Sequence, residues 1–178
     1  MIKILFIMLL FSGCSMNNIN NYQNNKPELN FEHFFDGKLI AYGSVFDFFG
    51  RLDARFIIRS EKIDNPNYKN DNKVLYKQSI EYIDTKKTKE MISYAIFDKN
   101  NTKTLIYKDE MMTGEAKYQI AGNAANVRYD LKLEDKNMIV SADDWLYLVD
   151  QNHATNKITI KKFGIPVANI VMSIVKQN

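Results

Sequence analysis

The stretch from Phe34 to Leu52, FFDGKLIAYGSVFDFFGRL, constrains this chain more than any other, because it alternates and is still apolar on both sides. Ile40, Tyr42, Ser44, Phe46 and Phe48 share one side, and Leu39, Ala41, Gly43 and Val45 share the other. A strand of that kind packs on both faces. Gly43 leaves room for a close neighbour, and Asp36-Gly37 and Phe49-Gly50 supply the turns at either end. The stretch therefore reads as the first long strand of a β-barrel, placed at its seam.

Nine further alternating segments follow: Ala54–Ile63, Val74–Ile83, Lys89–Phe97, Lys103–Lys108, Met112–Ala121, Asn126–Glu134, Met138–Val149, His153–Phe163 and Pro166–Lys176. Asp64 to Lys73 is the most polar loop between them, and Gly122-Asn123 makes the tightest hairpin. In Asn126–Glu134 the residues Val127, Tyr129, Leu131 and Leu133 point one way and Arg128, Asp130, Lys132 and Glu134 the other, the pattern of a sheet wet on one side. No segment carries a convincing helical period. The fold class is all-β: a single antiparallel up-and-down barrel of about 8–10 strands, closed because a flat sheet of that size leaves edges open to aggregation.

The N-terminus reads differently. Lys3 precedes an apolar run from Ile4 to Phe11, and Ser12-Gly13 precedes Cys14, the single cysteine of the chain. A run that short falls well below the ~20 residues needed to cross a bilayer as a helix, so it is a signal peptide. Cys14 stands where a bacterial lipobox places the cysteine to be lipidated, with Phe11 in the slot where Leu is more usual. A lone cysteine has no disulfide partner and forms no CxxC metal site, which favours lipidation. The expected organisation is 1–13 signal peptide, 14–30 lipidated cysteine and flexible tether, 31–178 barrel. Ser15, rather than Asp, after the cysteine points to the outer membrane, facing the periplasm.

With 46% hydrophobic residues in 178, the chain supports one core. The formal charge is only +3, and its bases are interleaved with acids, so no stripe marks a nucleic-acid partner. His33 and His153 are far apart and lack metal-ligand spacing, and there is neither a GxSxG motif nor a phosphate-binding glycine loop. No cofactor, metal or catalytic residue is expected. Asp143-Asp144 could divide acid and base roles, but neighbours on a strand point to opposite faces.

The opening stretch, with Thr113-Gly114-Glu115-Ala116, Gly122-Asn123-Ala124, Arg128-Tyr129-Asp130-Leu131, Asp143-Asp144-Trp145 and Lys162-Phe163-Gly164, resembles a family of bacterial lipoproteins catalogued as domain of unknown function 3833. The resemblance runs from Phe34 to Val175 and implies a calycin-type barrel, lipocalin-like in shape. The lipocalin Gly-x-Trp is missing, and Tyr42 stands about where the Trp would be.

Two function classes follow: a membrane-anchored protein that holds a lipid, such as a fatty acid, in its barrel, or a non-enzymatic structural or interaction lipoprotein with a solid barrel. For the first, Arg51, Arg55 and Arg59 share strand parity, and they are three of the four arginines in the chain. If that side is the lumen, one of them could pair with a ligand carboxylate; if it is the outside, they are solvated cations. Tyr42 and Trp145 are the aromatic candidates for the same ligand site.

Overall fold

The computed structural model describes residues 17–64, 72–98, 101–133 and 138–177. The signal segment, Cys14, most of the polar loop at Asp64 to Lys73 and the turn at Asp135 to Asn137 lie outside them.

Ten strands form: β1 Lys38–Asp47, β2 Leu52–Ile63, β3 Lys73–Tyr82, β4 Lys87–Phe97, β5 Thr104–Lys108, β6 Ala116–Ala121, β7 Ala124–Leu133, β8 Met138–Leu148, β9 His153–Lys162 and β10 Ile165–Gln177. Every neighbouring pair is antiparallel, and β1 pairs with both β2 and β10, so the sheet closes into an up-and-down barrel without an edge. The opening strand pairs with the last one at the seam, but it does not pack on both faces as expected: its outer side leaves Tyr42 exposed, because the sheet has only one interior. Leu39, Ala41 and Val45 point into the barrel. At Gly43 the Phe56 ring fills the space a side chain would take: a Cβ there would lie 2.3 Å from it.

The strand expected over Met112–Ala121 is shorter. β6 begins at Ala116, and the chain before it pairs irregularly with β7, through Thr113 N–H to the Asp130 carbonyl and Lys132 N–H to the Met111 carbonyl. Asp109 causes the break, because its carboxylate accepts the backbone N–H groups of Met111 and Met112 and curls the chain.

The two ends of the barrel differ. A four-residue helix, α1 (Phe31–Phe34), is capped by the Asn30 side chain, which accepts the His33 N–H. It buries Phe31 and Phe34 in the core. Leu29 N–H donates to the Gly122 carbonyl, Lys62 bonds Gly37 and Asp36, and Lys176 Nζ donates to the His33 carbonyl. These partners all lie at the end where β1 begins, so α1 plugs that end. At the opposite end the turns expose Phe48, Phe49 and Phe163, and no helix among the described residues covers them.

The expected flexible tether is largely structured. From Asn17 the chain packs along the outside of the barrel: Ile19–Tyr22 forms a 3₁₀ turn, Asn17 Nδ2 donates to the Tyr147 hydroxyl, and the Tyr22 ring lies 5.8 Å from Trp145 and 5.4 Å from Tyr147. Aromatic contact offsets the ordering entropy that an Asn-rich segment alone could not. The segment passes so close to the β6–β7 turn that a Cβ on Gly122, which has φ +53°, would lie 1.8 Å from the Tyr22 carbonyl oxygen. Gly122→Ala should therefore lift the segment off the wall. The expected result is a red shift of Trp145 fluorescence with the far-UV strand signal retained; unchanged emission would show that the turn yields instead.

Candidate functional site

Inward-facing residues alternate with outward ones along the strands, and the interior they enclose is not filled. A cavity of about 290 Å³ runs through the barrel. Its walls are mainly apolar, with Leu39, Phe56, Ile80, Met91, Leu146 and Ile158 among them, and Phe31 of the plug forms part of its floor. An engineered cavity of about 150 Å³ accepts benzene, so this one has room for about a dozen carbons.

One region of the lumen is polar. Asp144 of β8 points inward and is buried, accepting a hydrogen bond from Asn156 Nδ2 of β9 and one from the Tyr129 hydroxyl of β7 at 3.1 Å. Burial pushes its carboxyl up, against those two hydrogen bonds and with the Asp143 charge adding to the rise, to about 6. Asp109, also on the cavity wall, is raised by burial despite its two backbone N–H donors. Burial likewise raises the hydroxyls of Tyr107, Tyr118 and Tyr129, and the nearby Asp144 adds to it. The Tyr107 hydroxyl lies against Ser93 and Gln78. Ser93 Oγ itself is fully buried and makes no hydrogen bond of regular geometry.

Asp143, the preceding residue, faces out and behaves in the opposite way. Partial burial works to raise it, but the Asn126 hydrogen bond and the charges of Arg128 and Lys161 outweigh burial and hold the carboxyl below its usual range. The two neighbouring acids thus share no substrate position, as strand alternation dictates.

The arginines expected at a ligand are on the outside. β2 sends Phe56, Ile58 and Ser60 into the cavity, so Arg55 and Arg59 point to solvent, where they pair with Asp84 and Glu81. Arg51 lies in the turn before β2 and pairs with Asp47 at 2.7 Å. Tyr42 is also outward, 53% exposed, because the inward residues of β1 are its neighbours Ala41 and Gly43. Trp145 is buried at 7% exposure, but on the outer wall: it stacks on Tyr147 at 5.9 Å under Tyr22, and its Nε1 donates to Asp143. None of these five residues lines the cavity.

The family model for proteins of unknown function catalogued as DUF3833 matches residues 8–176. The chain belongs to that family. No curated protein matches this DUF3833 chain. Among solved structures it is similar to the S-type phycobiliprotein lyase CPES from Guillardia theta, with 9% identity and a TM-score of 0.60 over 84% of this chain and 94% of the lyase. A protein of unknown function from the DUF3598 family of Nostoc punctiforme is 11% identical with a TM-score of 0.58, over 85% of this chain and 51% of that one. Rv2717c from M. tuberculosis is 11% identical with a TM-score of 0.50, over 81% of this chain and 93% of its own. At such identities the likeness is one of fold: this DUF3833 barrel has the lipocalin-like shape.

Proposed function

We propose that this protein is a binding protein of the bacterial envelope that holds a lipid or other apolar molecule inside its barrel. The observation that carries the reading is the cavity of about 290 Å³, apolar on most of its wall and closed at one end by Phe31 and Phe34. A solid barrel, the premise of the structural alternative, is not what the interior offers. A largely preformed apolar pocket with a few convergent polar groups is the usual form of a small-molecule site. Burying a dozen carbons at about 0.8 kcal/mol per CH₂ leaves micromolar binding within reach after ordering costs. The similarity to a phycobiliprotein lyase supports a barrel of a shape that can enclose a ligand.

The proposal places the protein at the outer membrane, facing the periplasm, anchored through a lipidated Cys14. Asn17, three residues on from Cys14, is held to Tyr147. At no more than about 3.6 Å per residue the anchor would reach only about 11 Å from the wall. The barrel would then lie close against the membrane.

Cys14→Ala should abolish labelling by a palmitate analogue and release the protein into the soluble fraction. A variant that still labels and stays with membranes would refute the anchor while leaving the cavity untouched. Residues 17–177 contain all ten strands and the plug, so a chain beginning at Asn17 keeps the whole closed sheet. Titrating that chain with an environment-sensitive apolar fluorophore should give saturable binding. A Phe56→Trp substitution, which fills the lumen beside Gly43, should weaken it.

A further inference from the structure

The lumen has an electrostatic sign. Its described walls contain two acids, Asp109 and Asp144, and no Lys, Arg or His. The three arginines near β2 are on the outer surface, each paired with an acid. A carboxylate has about four lone-pair positions. Asp144 uses two, one on each oxygen, for Asn156 and Tyr129. Its remaining acceptor capacity is buried against the cavity, where protein cations are absent among the described lining residues. Ser93 Oγ, fully buried on the same cavity wall with the Tyr107 hydroxyl beside it, is a further polar atom there. The Tyr107 hydroxyl, beside Ser93 and within the field of Asp144, connects the two.

We propose that Asp144, with Ser93 and the tyrosine hydroxyls around it, receives the hydrogen-bond-donating polar end of an apolar ligand, with a protonated amine as the best match and an anionic head the worst. This deepens the cavity-binding proposal above and rests on it. Burying an unpaired charge is costly, and an ion pair with good hydrogen bonds removes most of that cost. A carboxylate head would meet Asp144 and Asp109 with no cation on the described cavity wall; Lys89, which is not on that wall, lowers Asp109 by its charge but is outweighed there by burial. The acyl carboxylate that the arginines were expected to hold is therefore the ligand head this lumen disfavours.

The test compares dodecylamine, dodecanol and dodecanoate as displacers of an apolar fluorophore from the chain beginning at Asn17, at pH 8. The three probes share a chain length and differ in the head. The expected order is amine, then alcohol, then carboxylate, with the amine favoured over the carboxylate by about tenfold or more, as opposite rather than like charge at a desolvated site requires. Asp144→Asn should bring amine and carboxylate within about threefold of each other while dodecanol changes little. Asp109→Asn, which leaves the Asn156–Asp144–Tyr129 set intact, should keep the amine ahead. The wild-type comparison stands without any variant: equal displacement by amine and carboxylate, or a preference for the carboxylate, overturns the proposal. An amine preference that persists in Asp144→Asn overturns the role of Asp144. If the fluorophore binds but heads are not discriminated, the cavity reading survives and this one falls; if no apolar probe binds at all, both fall.

Discussion

Trp145→Ala is expected to cost about 3–5 kcal/mol, the range for removing a large aromatic from a packed site. The reason is specific to the outer wall of β7 and β8. Trp145 is stacked on Tyr147 and covered by Tyr22, and its Nε1 is one of the donors that satisfy Asp143. Truncation opens a void under the N-terminal segment and removes that donor together. With a urea m-value of about 1–3 kcal/mol/M for a small domain, the midpoint should fall by at least about 1 M when followed by far-UV circular dichroism. An unchanged midpoint would show that the segment does not depend on the indole. Combined with Gly122→Ala, which detaches the same segment from its other side, the loss should be smaller than the sum of the two, because both remove one shared contact.

Asp144→Asn is expected to stabilise the protein at pH 8. In the folded state the carboxyl is raised by burial to about 6, from an ordinary value of 3.8. Between those two values the folded protein holds more protons than the unfolded chain, so stability falls as pH rises through that window. Above about pH 6 the penalty is complete, on the order of 3 kcal/mol, and below the ordinary carboxylate range it disappears. The variant should therefore exceed wild type by that order at pH 8 and come within about 1 kcal/mol of it at pH 4. Several surface acids, including Asp36, Asp47 and Asp84, are lowered by their lysine or arginine partners or by backbone N–H groups, and they give the opposite slope in acid. The difference between variant and wild type cancels them. A stability gain that is the same at both pH values would mean that Asp144 is not the group that titrates. A carboxylate that lowers stability is what a binding site retains and a purely structural core discards.

The barrel was legible because its rule is local. Alternation in β1 and β7, turn residues at Gly50 and Gly122, and strands too short for helices together define ten antiparallel strands, and closure follows because a flat sheet of that size would leave open edges. The absolute sense of that alternation was not legible everywhere. β7 declares its inner face by setting Val127 and Leu131 against Arg128 and Lys132. β1 does not, since Tyr42 and Phe46 are as apolar as Leu39 and Ala41. In β2 the isoleucines fall on both parities, so Arg55 and Arg59 could be placed in or out until Phe56 was seen filling the gap at Gly43.

In the sequence Asp144 is one half of an acid pair whose halves diverge. The divergence is real, and it is what gives one acid a buried, raised site and the other an exposed ion pair. What alternation could not supply is which neighbour lies inside; Leu146 and Leu148 at the same parity as Asp144 were the available signal. The plug was not legible, because Phe34 reads as part of the opening strand; Asn30 as a helix cap and Phe31, Phe34 and Phe35 at helical spacing were the available signal. The docking of Asn17 to Tyr22 was not, because an Asn-rich stretch has no period, and its order comes from two aromatic rings more than a hundred residues away.

The most direct test of a ligand-holding barrel is native mass spectrometry of the chain beginning at Asn17, expressed in bacterial cells and purified without detergent. The expected spectrum carries a stoichiometric adduct that is apolar, is lost on collisional activation and is displaced by dodecylamine. A bare mass, together with no saturable binding of any apolar probe below about 100 micromolar, about −5.5 kcal/mol of binding, would contradict it.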